Sequence, residues 1–158
     1  MTDGQVPSDG NVAVPLELRL RYDHALGELS PFFRGLEAGR AVATRCGDCG
    51  RTWFAPRLVC VCGSRAMHWV ELAGLGTIEA ITVGRSVLPC ADVAATFAFA
   101  LIRLDGAANA CFGRVAMNDS SLGRGDRVRL RRAAGTWPHP VQCAEYAAVE
   151  SSPVSTSA

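Results

Sequence analysis

Apolar and polar positions change rhythm twice along this 158-residue chain. Between Pro15 and Leu29 the apolar residues Leu16, Leu18, Leu20, Tyr22, Leu26 and Leu29 recur without a clean period, which predicts helix or irregularly docked chain. Ser30-Pro31 then reads as an N-cap followed by proline at the first helical position. The helix it opens carries Phe32, Phe33 and Leu36 and stops at Gly39. Phe32 and Leu36 are spaced i,i+4 and Phe33 and Leu36 i,i+3, so one face is apolar. Two turns of helix are marginal in water, so that face requires a surface to pack on.

Beyond Gly39 the runs become short. Ala41 to Arg45 and Thr52 to Phe54 read as paired strands, with Met67 to Leu72 leaving them. From Gly76 the pattern alternates with a period of two, broken by glycine-bearing turns. Gly76 to Val83 places Ile78, Ala80 and Thr82 on one face and Thr77, Glu79, Ile81 and Val83 on the other. Val93 to Leu104 follows, with Phe97, Phe99, Leu101 and Arg103 on one parity, and Asp105-Gly106 marks a hairpin. Ala108 to Ala116 and Arg127 to Arg132 follow, and Val141 to Val149 reads as a fifth strand or a frayed end. Five short strands predict a small closed barrel, because closure removes exposed edges, and the five-stranded version is the OB-fold. The expected fold class is mainly β: an N-terminal helical segment over 15–40, a ribbon over 41–68 and the barrel over 69–149. Residues 1–14 and 150–158 are polar, lack periodicity and read as disordered tails.

Cysteine spacing turns the ribbon into a candidate metal site. Arg45-Cys46-Gly47-Asp48-Cys49-Gly50 is followed, with ten residues between Cys49 and Cys60, by Cys60-Val61-Cys62-Gly63. Each pair lies on a tight turn, and the trailing glycine supplies the backbone freedom that brings amide N–H groups toward sulfur. Four thiolates, Cys46, Cys49, Cys60 and Cys62, make a closed tetrahedral site for structural Zn²⁺. The second pair is C-x-C, one residue shorter than the first, so His68 stands as a substitute ligand should Cys60 point away. Cys90, Cys111 and Cys143 stand alone.

The net charge of +1 is too balanced for bulk attraction to nucleic acid, and all sixteen basic residues are arginine. No apolar signal region opens the chain, and the most apolar run, Val93 to Leu104, is too short to span a bilayer. Paired cysteines without a secretory signal read as reduced, and the protein as cytoplasmic. No paired-carboxylate motif, phosphate loop or cysteine–histidine pairing identifies a catalytic residue; Cys111, mid-strand among apolar neighbours, reads as core. Arg127, Arg129 and Arg131 alternate with Val128 and Leu130, the pattern of a solvated strand face. Guanidinium forks also suit phosphate, which keeps these three and Arg40, Arg45, Arg51, Arg57 and Arg65 as candidates that spacing does not rank. Phe32, Phe33, Leu36 and Trp53 form either an apolar groove or the contact between helix and ribbon.

In order, these pieces resemble the zinc-ribbon/OB-fold proteins described as acyl-CoA-associated or thiolase-associated. The resemblance rests on Pro31-Phe32-Phe33-Arg34-Gly35-Leu36-Glu37-Ala38-Gly39-Arg40, the two knuckles, the entry Gly74-Leu75-Gly76-Thr77-Ile78-Glu79-Ala80-Ile81-Thr82-Val83, and the late turn Leu122-Gly123-Arg124-Gly125-Asp126-Arg127-Val128. It covers about Pro31 to Val149. It implies N-terminal helices, a rubredoxin-like zinc ribbon and an OB-fold barrel. It further implies a non-catalytic accessory subunit that binds acyl-CoA or an acyl-carrier thioester and docks on a thiolase-like or ketosynthase-like enzyme. The other class compatible with a ribbon and an OB-fold is a single-stranded nucleic-acid module. Such modules need stacking aromatics interleaved with basic residues, whereas here Phe97 and Phe99 share their parity only with Arg103.

Overall fold

The computed structural model describes residues 25–86, 95–116 and 122–149, together with Glu17, Leu18, Leu20 and Asp23. The two predicted tails, Cys90 and the first residues of the strand expected from Val93 lie outside the described residues.

A 3₁₀ turn, Gly27–Leu29, runs directly into helix α1 (Ser30–Glu37). Ser30 is not the N-cap expected from the sequence. It is itself helical, and its hydroxyl donates back to the Gly27 carbonyl at 2.5 Å, because the preceding turn already supplies an acceptor there. Pro31 sits in the first turn as expected. The helix ends in a Schellman motif. The Arg40 N–H donates to the Gly35 carbonyl at 2.8 Å and the Gly39 N–H to Leu36 at 3.0 Å, with Gly39 at φ +69°. That reversal feeds the chain straight into strand β1 (Ala41–Cys46), which is flanked by β2 (Thr52–Trp53) and β3 (Met67–Leu72) in an antiparallel sheet. β3 pairs with β1 along its whole length, from Cys46↔Met67 to Ala41↔Leu72, so the ribbon sheet runs past residue 68.

The barrel consists of β4 (Leu75–Ser86), β5 (Ala95–Leu104), β6 (Ala110–Val115), β7 (Arg127–Arg132) and β8 (Ala144–Ala148). It closes in the order β4-β5-β6-β8-β7. Two sequence expectations are corrected here. Ile78 faces the core, but a register shift between Ile78 and Ala80 swaps the faces beyond it, so Ala80 is exposed and Ile81 packs on the core. One extra residue reverses every later side chain on a strand, so strict alternation fails at this bulge. The second concerns Val141 to Val149. Its first part forms a short helix, α2 (Pro140–Cys143), and only Ala144 onward is strand. Pro140 has no N–H to give a ladder, and His139 caps the helix by accepting the Val141 N–H on Nδ1 at 3.2 Å.

One core serves all three parts. Phe32 and Leu36 of α1, Ala41 and Ala43 of β1, and Phe54 join the barrel interior of Ile78, Ile102, Leu104, Val128, Leu130 and Tyr146. The ribbon is tied to the barrel where β5 turns into β6. The Phe54 N–H donates to Asn109 Oδ1 at 3.1 Å, Asn109 Nδ2 donates to the Phe54 carbonyl at 2.6 Å, and the Ala108 N–H donates to the Thr52 carbonyl at 2.8 Å. The connection after Asp105-Gly106 therefore runs on to Asn109, longer than a two-residue hairpin, because it carries this tie.

β6 and β8 run parallel and pair only at Val115↔Tyr146. Tyr146 is 3% exposed, and its ring lies flat across β6 where Gly113 has no side chain. A Cβ at Gly113 would stand 2.4 Å from a Tyr146 ring carbon. Gly113→Ala is expected to cost about 1–3 kcal/mol through overpacking, read as a lower midpoint in urea denaturation of the full chain. An unchanged midpoint would mean that the ring moves freely and does not fix this seam.

Candidate metal centre and apolar pocket

Cys46 ends β1, and the turn after it closes with the Gly50 N–H on the Cys46 carbonyl at 3.0 Å. The shorter second knuckle closes with the Gly63 N–H on the Cys60 carbonyl at 2.9 Å. Gly50 and Gly63 both have positive φ, +70° and +88°, which explains the glycine that trails each pair. The four sulfurs converge, all within 4.8 Å of one another, with Cys46–Cys62 at 3.7 Å and Cys49–Cys60 at 3.5 Å. Zn–S bonds of about 2.3 Å in a tetrahedron set sulfur–sulfur edges of roughly 3.8 Å. The donor set therefore fits a tetrahedral thiolate metal site, and the missing residue in C-x-C does not prevent it. Cys60 is buried inside the group, and His68 lies outside it with Nε2 over Gly47.

Protonation favours a bound cation. The backbone N–H of Cys62 outweighs burial and, with Trp53 and the Cys49 and Cys62 side chains, draws the Cys60 thiol down to about 6. Cys46 is likewise lowered, chiefly by the Cys49 N–H. The Ser64 N–H pulls Cys62 down, yet the neighbouring Cys60 and Cys49 sulfurs together push it up to about 12. Without a cation, four crowded sulfurs do not all ionise; a metal removes that conflict. Trp53 packs with Cys46, Cys60 and Met67, and its buried Nε1–H has no conventional hydrogen-bond partner. That N–H is the group through which Trp53 lowers the Cys60 thiol, outside ordinary hydrogen-bond geometry.

A second feature lies where α1 meets the β6–β8 seam. Away from Val115 these two strands part, leaving an apolar cavity of about 400 Å³ walled by Phe32, Leu36, Phe54, Phe112, Trp137 and Tyr146. Cys111 Sγ and Tyr146 Oη meet across it at 3.2 Å. Burial raises both the Cys111 thiol and the Tyr146 phenol above their ordinary values, so both stay neutral near pH 7. Arg114 stands at its edge, with Cζ 4.4 Å from the Trp137 ring centroid and Nη2 donating to Glu145 at 3.3 Å.

Of the groove residues expected from the sequence, Phe32 and Leu36 line this cavity. Phe33 stands edge-on to His139, and Trp53 belongs to the sulfur cluster instead. Arg114, Phe112, Trp137 and Tyr146 were not singled out, because no local pattern shows that the barrel's closure brings them together. The strand arginines are largely engaged. Arg127 grips Asp105, holding that carboxyl below its usual range, Arg131 pairs with Glu145, and Arg129 reaches the Ala73 carbonyl. Arg40 pairs with Glu71, and Arg57 stacks on Trp53 at 4.6 Å. Arg45, Arg51 and Arg65 are exposed and carry no ion pair among the described residues.

Cys46→Ser is expected to reduce bound metal well below one ion per chain and to destabilise the ribbon by several kcal/mol or more, since metal binding at such sites is coupled to folding. Elemental analysis and thermal denaturation check it. Full metal retention with an unchanged melting temperature would remove Cys46 from the ligand set.

Residues 33–68 match the family model for the ChsH2 rubredoxin-like zinc ribbon domain. A search of curated proteins finds no significant match. Among solved structures, one described as an Ltp2-ChsH2(DUF35) aldolase superimposes with a TM-score of 0.60 at 20% identity, over 82% of this chain and 98% of that one. A DUF35-family protein of unknown function from Sulfolobus solfataricus does so with a TM-score of 0.57 at 17% identity, over 78% of this chain and 87% of that one. Among the described residues no helix is long and apolar enough to cross a membrane. The resemblance drawn from the sequence therefore holds: the chain carries a ChsH2-type rubredoxin-like zinc ribbon, joined to a short helix and a closed five-stranded barrel in the fold of the DUF35 proteins.

Proposed function

We propose that this chain is an accessory subunit that docks on a thiolase-like or ketosynthase-like enzyme and holds the acyl part of an acyl-CoA or acyl-carrier thioester for it. The observation that carries this reading is the apolar cavity walled jointly by helix, ribbon and barrel. Its volume suits a small-molecule site. The thiol and phenol that meet across it are both held neutral, which fits recognition of a hydrocarbon better than attack on a thioester. The carbon–carbon bond chemistry then belongs to the partner's active site. Likeness to a structure described as an Ltp2-ChsH2(DUF35) aldolase supports the same assignment.

In this reading the metal is zinc, held by Cys46, Cys49, Cys60 and Cys62 in a closed structural site. It stabilises the ribbon and takes no part in the reaction. Four thiolates must stay reduced to hold it, which favours a reducing compartment such as the cytoplasm. Nucleic-acid binding finds less support. The barrel's outward aromatic pair, Phe99 stacked on Phe112 at 5.1 Å, lies beside Arg114, and that arginine is tied to Glu145 at 3.3 Å.

Co-expression of the full chain with thiolase-like enzymes from the same genome tests the proposal. One of them is expected to co-purify with it and to turn over acyl-CoA faster in its presence. The purified chain alone is expected to carry about one zinc and to show no thioester condensation, cleavage or hydrolysis. Turnover by the chain alone, or no association with any such enzyme, overturns the assignment.

A further inference from the structure

We propose that the unpaired edge of β6 is a subsite for a neutral, amide-bearing chain of the kind that carries an acyl thioester in pantetheine. The backbone N–H and C=O of Phe112 pair there with one ligand amide, as a neighbouring strand would. The inference deepens the reading of the cavity as an acyl site and rests on it.

Four consecutive residues of β6, Cys111 to Arg114, line the cavity. Gly113 is among them and has no side chain, so the backbone of the strand itself forms part of that wall. β6 pairs with β5 without interruption from Ala110 to Val115. On its other side it meets β8 only at Val115↔Tyr146, where the Ala116 N–H donates to the Tyr146 carbonyl at 2.7 Å. The backbone polar groups of successive residues in a strand turn to alternate edges. Those of Phe112 therefore point to the same side as the Ala116 N–H, and no ladder reaches them there. Phe112 is 68% exposed and Gly113 beside it is half-buried, so this stretch of edge is open to an incoming molecule.

An open edge can take another strand, but this opening is too short for one. The Ala110 carbonyl is already taken by Asn109 Nδ2 at 3.1 Å, and the Val115↔Tyr146 pair closes the other end. About one amide's length of edge remains, less than the three residues or so of even a short strand. A slender chain with one amide at this point fits it. The lining sets the charge. Arg114, its one charged residue among the described residues, is matched by Glu145 at 3.3 Å, and Phe32, Phe54, Phe99 and Trp137 make the wall apolar. An ionised group would find no opposite charge left to meet. An amide brings one acceptor and one donor, the complement of the pair on Phe112.

Two thioethers test the assignment in the metal-loaded full chain: S-octyl-N-acetylcysteamine, which carries one amide, and its ester analogue, S-octyl-2-mercaptoethyl acetate. The amide is expected to bind about two- to tenfold more tightly, the net worth of one neutral hydrogen bond. At saturation it slows hydrogen exchange of the Phe112 N–H, read by NMR, by about tenfold or more, and leaves that of Cys111, which faces β5, unchanged. Val141→Trp, which adds bulk to the cavity lining, weakens both probes. Equal affinity of amide and ester, or unchanged exchange at Phe112 while the amide is bound, overturns the subsite and leaves the acyl-site reading standing. If neither probe binds, or if Val141→Trp affects neither, that reading falls as well.

Discussion

The carboxamide of Asn109 satisfies both backbone polar groups of Phe54, and the relation of ribbon to barrel depends on that exchange. A buried peptide group left without partners carries a large penalty, so this pair of bonds defines where the returning arm of the ribbon must lie. The Phe54 ring is set in turn, edge-on to Phe32 with centroids 5.5 Å apart, and helix α1 is held against the barrel by that contact. Neither the two-turn helix nor the two-residue strand β2 has enough surface to be stable alone. Each is ordered by the core they share with Ile78, Ile102 and Leu130.

The metal centre and the cavity meet in two adjacent residues. Trp53 and Phe54 follow one another in the chain, and neighbouring side chains of an extended segment point to opposite sides. Trp53 goes to the sulfurs with Cys46 and Cys60, and Phe54 goes to the cavity wall. The insert beyond them is clamped by Thr44, whose hydroxyl accepts the Arg57 N–H at 2.9 Å and donates to the Arg57 carbonyl at 3.0 Å. Ordering of the sulfur cluster thus reaches the cavity through covalent neighbours and one clamp, with no long relay. A ribbon that lost its metal would lose one wall of the cavity too.

What was legible in the sequence was whatever a few consecutive residues determine. The cysteine turns depend on short spacing and a trailing glycine, and the β7 alternation of Arg127, Val128, Arg129 and Leu130 depends only on strand pleat. The bulge after Ile78 was hidden because Glu79 looks like any other residue in an alternating run, and only its partner strand reveals that it is extra. Helix α2 was hidden because Val141 to Val149 contains enough apolar residues for a strand, while Pro140 and the His139 cap act just upstream. The cavity had no local signature at all. Its walls come from α1, the ribbon insert, β6 and the segment around α2, and its existence follows from β6 and β8 pairing at a single position.

That single pairing also explains how a small barrel holds a cavity without becoming unstable. A fully laddered seam would bring Gly113 against Ala144 and Cys111 against Gln142 and fill the space with backbone; the splayed seam leaves it to side chains and spans it with the contact between Cys111 Sγ and Tyr146 Oη. Tyr146 can take that position only because β6 has a glycine beneath its ring. Both polar atoms of the crossing are engaged, Cys111 Sγ also reaching the Ile102 carbonyl at 3.4 Å, and burial keeps both uncharged. At its edge Arg114 is fixed by Trp137 and Glu145. Such a cavity can recognise a molecule without reacting with it, which is what a subunit serving another protein's active site requires.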